Sequence, residues 1–194
     1  MKIPHDPKLE YIDSTHTYLY DGIIIPSVTQ IMKKSSEDYY SNISESRLNI
    51  AADRGTRVHK AIHEFEVVGV VTNDEEVRPY LTEYIVAKSR YKFKPLHQEF
   101  MLTNGEFAGT LDMLAIMDGK LVLIDLKATY KLNQSLAEIQ LAGYVELLER
   151  NGISVNGTYI LHLMKDKNKL YDITPNYYEW ERLKNENLRT MSSQ

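Results

Sequence analysis

FAGTLDMLAIMDGKLVLIDLK, residues 107–127, is two apolar runs joined by Asp118-Gly119. An Asp-Gly pair between strand-like runs signals a two-residue hairpin, because both positions tolerate a positive φ. With those two residues as the loop, Met117 faces Lys120, Leu114 faces Leu123, and Asp112 faces Asp125. The two aspartates then share one face of the hairpin, with Cα atoms roughly 4.5–5.5 Å apart. Lys127 lies two residues beyond Asp125 and falls on the same face.

Like charges directly opposite destabilise a sheet. Leu111, Met113, Leu114, Leu123, Ile124 and Leu126 are apolar on both faces, so this pair is expected inside a largely buried hairpin. Two carboxylates there must share a proton or hold a cation. A hard divalent cation with oxygen ligands is the simpler solution, and Lys127 adds a charge that can orient a water or stabilise a negative transition state. Asp plus Asp-x-Lys on one face suits metal-assisted hydrolysis of a phosphodiester. The competing reading is a strand-end Asp112 beside a solvated Asp125–Lys127 ion pair. A lone D-x-K tripeptide does not distinguish the two.

Outward from the hairpin, LHQEFML at 96–102 reads as a preceding strand, and residues ~156–163 and ~170–173 as two later ones. Ser135-Leu-Ala-Glu138 has the form of a capping box opening a helix that stops near Gly152. Residues ~47–68 carry Val58, Ile62 and Phe65 at helical spacing, and a second helix is expected over ~74–92 with Pro79 in its first turn. Toward the N-terminus, residues 15–25 form two short strands around Asp21-Gly22, and Ser27-Val-Thr-Gln30 is a second capping box. Thr174-Pro175 is expected to start a last helix. The sum is an α/β fold, a mixed sheet of four to five strands flanked by helices, in one domain over 1–194 with an N-terminal hairpin and helix extension.

The chain has 194 residues, 43% hydrophobic and 26% charged, as an ordinary globular domain does. It has no cysteine, which excludes disulfides, thiolate zinc sites and Cys-ligated iron–sulfur clusters. No apolar run is long enough to span a bilayer, and no leader pattern is visible, so the expected location is the cytoplasm of a bacterium or a phage-infected host. The net charge of −4 argues mildly against a nucleic-acid partner, but phosphate binding depends on where charge sits.

An ordered set of motifs resembles the RecB-like exonuclease branch of the PD-(D/E)XK nuclease superfamily. The set is IPSVTQIM (25–32), RGTRVHKAIHE (54–64), GTLDMLA (109–115), LIDLKAT (123–129) and QLAGYVELL (140–148). The likeness covers roughly residues 15–165 and includes the mitochondrial genome maintenance exonuclease family and small phage-encoded enzymes. It implies a restriction-endonuclease-like fold and a Mg²⁺- or Mn²⁺-dependent deoxyribonuclease leaving 5′-phosphates, working on DNA with single-stranded or free ends. By the same likeness, Asp112 and Asp125 bind the metal with the Leu126 carbonyl, His59 is a further ligand, and Glu99 matches an acid that some relatives use near the metal. Lys127 positions the attacking water, and Gln140 and Tyr144 support the site or the DNA. There is no phosphate-binding G-x-x-x-x-G-K-[ST] loop, so any helicase or recombinase partner must be another chain.

Other residues carry two readings each. His59 and His63 are one helical turn apart and could be a solvated face or core histidines, and only His59 sits in the G-T-x-V-H context. Gln140 and Tyr144, at i and i+4, could serve function or packing. Lys88, Arg90, Tyr91 and Lys92 in KSRYKFK, with Lys131 and Tyr144, are candidate nucleic-acid contacts. KSRYKFK also fits a helix end whose cations complement the dipole. A catalytically silent nucleic-acid- or protein-binding module, an endonuclease on the same metal site, and a metal hydrolase acting on another ester remain as alternatives.

Overall fold

The structure is a computed structural model describing residues 2–3 and 5–191. Its core is a five-stranded sheet in chain order: β4 (Phe93–Thr103), β5 (Ala108–Met117), β6 (Lys120–Lys127), β7 (Gly157–Leu163) and β8 (Asn168–Asp172). All neighbours pair antiparallel except β6 and β7, which are parallel and connected through helix α5 (Gln134–Arg150). This is the mixed sheet expected from the sequence.

The β5–β6 turn has the predicted geometry. Asp118 and Gly119 have φ of 50° and 75°, and Met117 pairs with Lys120 and Leu114 with Leu123. The central strands are apolar on both faces because helices cover both. On one face, Leu111, Leu114, Leu123 and Ile160 pack with α5, with α1 (Val28–Ile31) and with Trp180 of α6 (Tyr177–Met191). On the other, Met113, Val122, Ile124 and Leu161 pack with α3 (Glu45–Val68) and α4 (Arg78–Tyr91). Nine residues of α5 are buried, more than one stripe can supply, so this helix is enclosed by sheet and helices together.

Helix boundaries follow local chemistry, and two differ from expectation. Ser27 makes the predicted capping box with Gln30. The α5 cap is Asn133, whose side chain accepts the Leu136 N–H, two residues before the expected Ser135. Asn also leads the N-cap ranking, and here it reaches the amide first. Likewise Asn176 accepts the Glu179 N–H and starts α6, so Pro175 precedes the cap and is not at the first helical position. Pro79 does lie in the first turn of α4.

The N-terminal extension is larger than the sequence pattern indicated. Three short strands, β1 (Leu9–Ile12), β2 (Thr17–Tyr20) and β3 (Ile23–Ile25), form a separate antiparallel sheet, and α2 (Lys33–Tyr40) follows α1. The small sheet is joined to the core where β5 begins: the Ala108 N–H donates to the Pro26 carbonyl, and Ser27 bridges Ala108. Both attachment points lie a few residues from Asp112.

Candidate active site

Asp112 marks a defect in the middle of the sheet. The β4–β5 register passes from Gln98↔Met113 to Phe100↔Leu111 and skips Glu99 and Asp112. The β5–β6 register ends at Met113↔Ile124, one step before Asp112 would meet Asp125. Leu111 and Met113, two residues apart, belong to cores on opposite faces, so β5 turns over at Asp112. The backbone amide that the broken ladder frees is satisfied locally: the Leu126 N–H donates to Asp112 Oδ2 at 2.7 Å.

Glu99 makes the same defect on β4. Its φ is +47°, and it is the only positive-φ residue inside a strand among those described. A left-handed glutamate costs on the order of 1–2 kcal/mol, and such outliers gather where a side chain must be aimed. Here the turned backbone sends the carboxylate toward His59, Glu99 Oε1 lying 3.4 Å from His59 Nδ1.

His59 comes from α3 and completes the cluster. Its Nδ1 is also 3.4 Å from Asp112 Oδ1, and its Nε2 is 3.1 Å from the Leu126 carbonyl. A carbonyl only accepts, so Nε2 carries a hydrogen and Nδ1 faces two carboxylates. That geometry requires either a second proton on the ring or a cation between Nδ1 and the acids. Burial lowers the His59 pKa, but the Asp112 charge, with Glu99 beside it, outweighs burial and holds the pKa well above the usual histidine range. Asp112 shows the reciprocal effect: burial raises its pKa, and the His59 charge overrides this and holds it low.

Asp125 lies across from this group and is almost wholly buried, at 1% exposure. Burial pushes its pKa up to about 6, against Lys127 and with repulsion from Asp112. Lys127 Nζ is 2.6 Å from Asp125 Oδ2, the same-face placement expected of Asp-x-Lys. Even so, Asp125 Oδ1 is buried with no partner at all. Buried carboxylate oxygens are rarely left this way.

This donor set fits a divalent cation. His59, Glu99 and Asp112 offer ligand atoms that all lie within 4.8 Å of one another, a group that does not include Asp125; Asp125 keeps one oxygen, Oδ1, without any partner, its Oδ2 being ion-paired with Lys127. One imidazole and several carboxylates make a set for a hard or borderline ion.

The site opens onto three clefts. One, of about 390 Å³, is lined by Gly55, Thr56, His59, Lys60, His63 and Glu99. A second, of about 190 Å³, holds Lys127, Lys131, Tyr40, Asn133 and Gln140. A third, of about 330 Å³, runs under the small N-terminal sheet and includes Glu99, Thr110 and Tyr144. Gln140 and Tyr144 bridge the last two: the Gln140 amide donates to the Tyr144 hydroxyl at 2.9 Å. The Tyr144 ring is only 5% exposed and packs over Gly109, where a Cβ would approach it to 3.0 Å. Close approach therefore explains the glycine of the G-T-x-D motif, and Tyr144 is a buried support more than a free contact surface.

The KSRYKFK residues are not brought to these clefts. Lys88 pairs with Glu66 at 2.7 Å, Arg90 donates to Asn168, and the Tyr91 hydroxyl accepts the Leu170 N–H. Lys92 ends α4 in a left-handed conformation. These contacts dock α4 against β8, the packing role that is the alternative reading of this segment, while Arg90 and Lys92 stay exposed, away from the clefts. Conversely, Tyr40 beside Lys127, and Tyr11, His16 and Tyr18 in the third cleft, carried no signal in the sequence beyond the abundance of tyrosine.

A family model for the PD-(D/E)XK nuclease superfamily matches residues 71–192, more than half of the chain. No curated protein matches it in sequence. Among solved structures, SSO0001 is similar over 83% of this chain and 84% of its own, at 17% identity and a TM-score of 0.39. A phage related exonuclease from Haemophilus somnus 129PT is similar over 85% of this chain and 90% of its own, at 9% identity and a TM-score of 0.39.

Proposed function

Because the chain belongs to the PD-(D/E)XK nuclease superfamily, we propose that it is a Mg²⁺- or Mn²⁺-dependent deoxyribonuclease acting as an exonuclease on DNA with free, single-stranded ends. The observation that supports the reading best is the convergence of His59, Glu99 and Asp112 beside the buried Asp125–Lys127 pair, at the meeting point of three open clefts.

In this reading Asp112, Asp125, Glu99, His59 and the Leu126 carbonyl hold the divalent ion. When bound, that ion supplies Lewis-acid polarisation of the phosphate and lowers the pKa of a water. Asp112 is fixed for this work by the Leu126 N–H. His59 Nε2 rests on the Leu126 carbonyl, which orients the ring and leaves Nδ1 as its ligating atom. The Lys127 ammonium, held by Asp125, donates to the attacking water or to a phosphate oxygen and offsets the charge that grows there. Water oxygen bonds to phosphorus as the bond to the 3′-oxygen breaks, leaving a 5′-phosphate and a 3′-hydroxyl. Gln140 and Tyr144 brace the floor between the clefts. Lys131 and Lys127 give the second cleft its positive charge, suited to the backbone of the strand.

The preference for ends rests on two features. The described residues form no separate module for reading a sequence within a duplex, and the clefts, at about 190 to 390 Å³, are small beside one. The deciding experiment incubates the protein with a linear single-stranded oligonucleotide and with a covalently closed single-stranded circle, in Mn²⁺ and in EDTA. Mononucleotides or short products from the linear strand alone, in Mn²⁺ alone, are the expected result. Equal cutting of the circle makes it an endonuclease, cutting in EDTA removes the metal mechanism, and tight binding without cutting makes it a silent binding module.

A further inference from the structure

The third cleft differs from the others in chemistry. None of its lining residues is lysine or arginine; Tyr11, Tyr18, His16 and Tyr144 bring rings to it, and Asp13 and Glu99 bring carboxylates that disfavour a phosphate there. At about 330 Å³ it is within the range of sites that enclose a small organic group. A surface with rings and no cations is suited to bases, where the Lys127–Lys131 cleft is suited to phosphates.

The aromatic side of the cleft is built with care. Tyr11 and Tyr18 are directly opposite in the β1–β2 ladder, with ring centroids 4.8 Å apart and planes tilted by 41°. Tyr18 is 6% exposed, and its hydroxyl is 2.7 Å from Thr110 Oγ1, two residues from Asp112. It is thus a fixed backing that ties the small sheet to the catalytic strand. Tyr11 stands in front of it, half-buried, with one side of the ring packed and the rest toward the cleft. His16 meets Tyr11 edge-on at 6.3 Å, presented by a left-handed φ of 51° after the single 3₁₀ turn Asp13–Thr15. Tyr11 packs on the Tyr18, Ile25 and Ala108 cluster and also lines the cleft, so the ring is firmly backed while part of it borders open space beside the carboxylate cluster.

We propose that Tyr11, backed by Tyr18 and edged by His16, is a stacking platform for an unpaired base of the strand whose phosphate lies at the Asp112–Asp125 site. The proposal rests on the nuclease reading above and adds to it the means by which single strands are selected. A base inside a duplex has both faces covered by its neighbours and cannot lie on the ring, so the platform favours strands whose bases are unpaired next to the site. It also assigns a function to the N-terminal sheet, which lies outside the residues that the family model matches.

The test uses fluorescence anisotropy with two oligonucleotides of equal length, oligothymidylate and its abasic tetrahydrofuran analogue, in Ca²⁺. Tyr11→Leu keeps an apolar contact with Tyr18 but removes the π face, and Tyr11→Trp restores one. Tyr11→Leu is expected to weaken oligothymidylate binding about tenfold and to leave the abasic strand unchanged, with Tyr11→Trp near wild type. Melting temperatures within a few degrees of one another show that the sheet is intact. Equal effects on both strands, or none on either, overturn the platform. A wild-type protein that binds neither strand overturns the platform and the nuclease reading together. Binding without cleavage in Mn²⁺ overturns only the nuclease reading, and the platform is then decided by the Tyr11→Leu comparison.

Discussion

Replacing Asp125 with asparagine should abolish cleavage and yet raise stability in metal-free buffer. The folded protein pushes the Asp125 pKa from 3.8 to about 6 through burial and Asp112 repulsion, with Lys127 opposing. Each unit is worth about 1.4 kcal/mol, so the ionised form costs the fold about 3 kcal/mol at most. The folded pKa lies above the unfolded one. The penalty is therefore absent below pH ~4, grows through the window up to pH ~6, and is complete above it. The amide of the Asp125→Asn variant would lack the charge and keep an acceptor for Lys127, although a buried amide also leaves some atoms unpaired. For a chain of this size about 3 kcal/mol corresponds to roughly 6–12 °C in Tm, and the unpaired amide atoms offset about half of it. Thermal melts in EDTA should show the variant several degrees above wild type at pH 8 and level with it near pH 4. Saturating Mn²⁺ should reverse the order, because an ion at about 100 times its Kd adds ~2.7 kcal/mol to a protein that binds it, and the variant binds it poorly. An Asp125→Asn protein that melts below wild type in EDTA, by the same amount at every pH, would refute the assignment of Asp125 as a strained acid awaiting a cation.

Three further outcomes follow from the same geometry. Lys127→Ala should lower kcat by at least about a hundredfold, as loss of one charge-stabilising donor does, while metal affinity read by the Mn²⁺-dependent rise in Tm stays near wild type. His59→Ala should weaken that Mn²⁺-dependent rise far more than His63→Ala, since only His59 contacts Asp112 and Glu99; equal small effects would return both to a structural role. Glu99→Gly should melt at or above wild type in EDTA, because glycine accepts the φ of +47° without the roughly 1–2 kcal/mol of strain, yet lose activity. A large fall in Tm would show that the glutamate is held there for packing.

The hairpin and its aspartates were legible in the sequence because a two-residue Asp-Gly loop leaves one register, and a register with period two fixes which side chains share a face. The same logic stopped one pair short. Nothing in the residue pattern indicates that the ladders open at Asp112 or that Glu99 turns left-handed, since both are properties of three strands and a helix meeting at one place. His59 was reachable only through motif resemblance, because helical spacing cannot tell which partner a face will meet. KSRYKFK shows the converse ambiguity. Its composition suits nucleic acid, but partners distant in sequence (Glu66, Asn168 and β8) hold Lys88, Arg90 and Tyr91. α2 is not legible because KKSSEDYY has no apolar stripe, and β1 because, unlike β2 and β3, it adjoins no Asp-Gly turn. What the sequence encodes locally is the scaffold that holds two acids and a lysine. What makes those three a site is supplied from outside the hairpin: an imidazole from α3, a strained glutamate from β4, and an aromatic wall from a sheet that touches β5 two residues from its aspartate. A search for function in related chains should therefore look first for a positive-φ acid opposite the hairpin aspartate, a backbone feature that residue identity alone does not reveal.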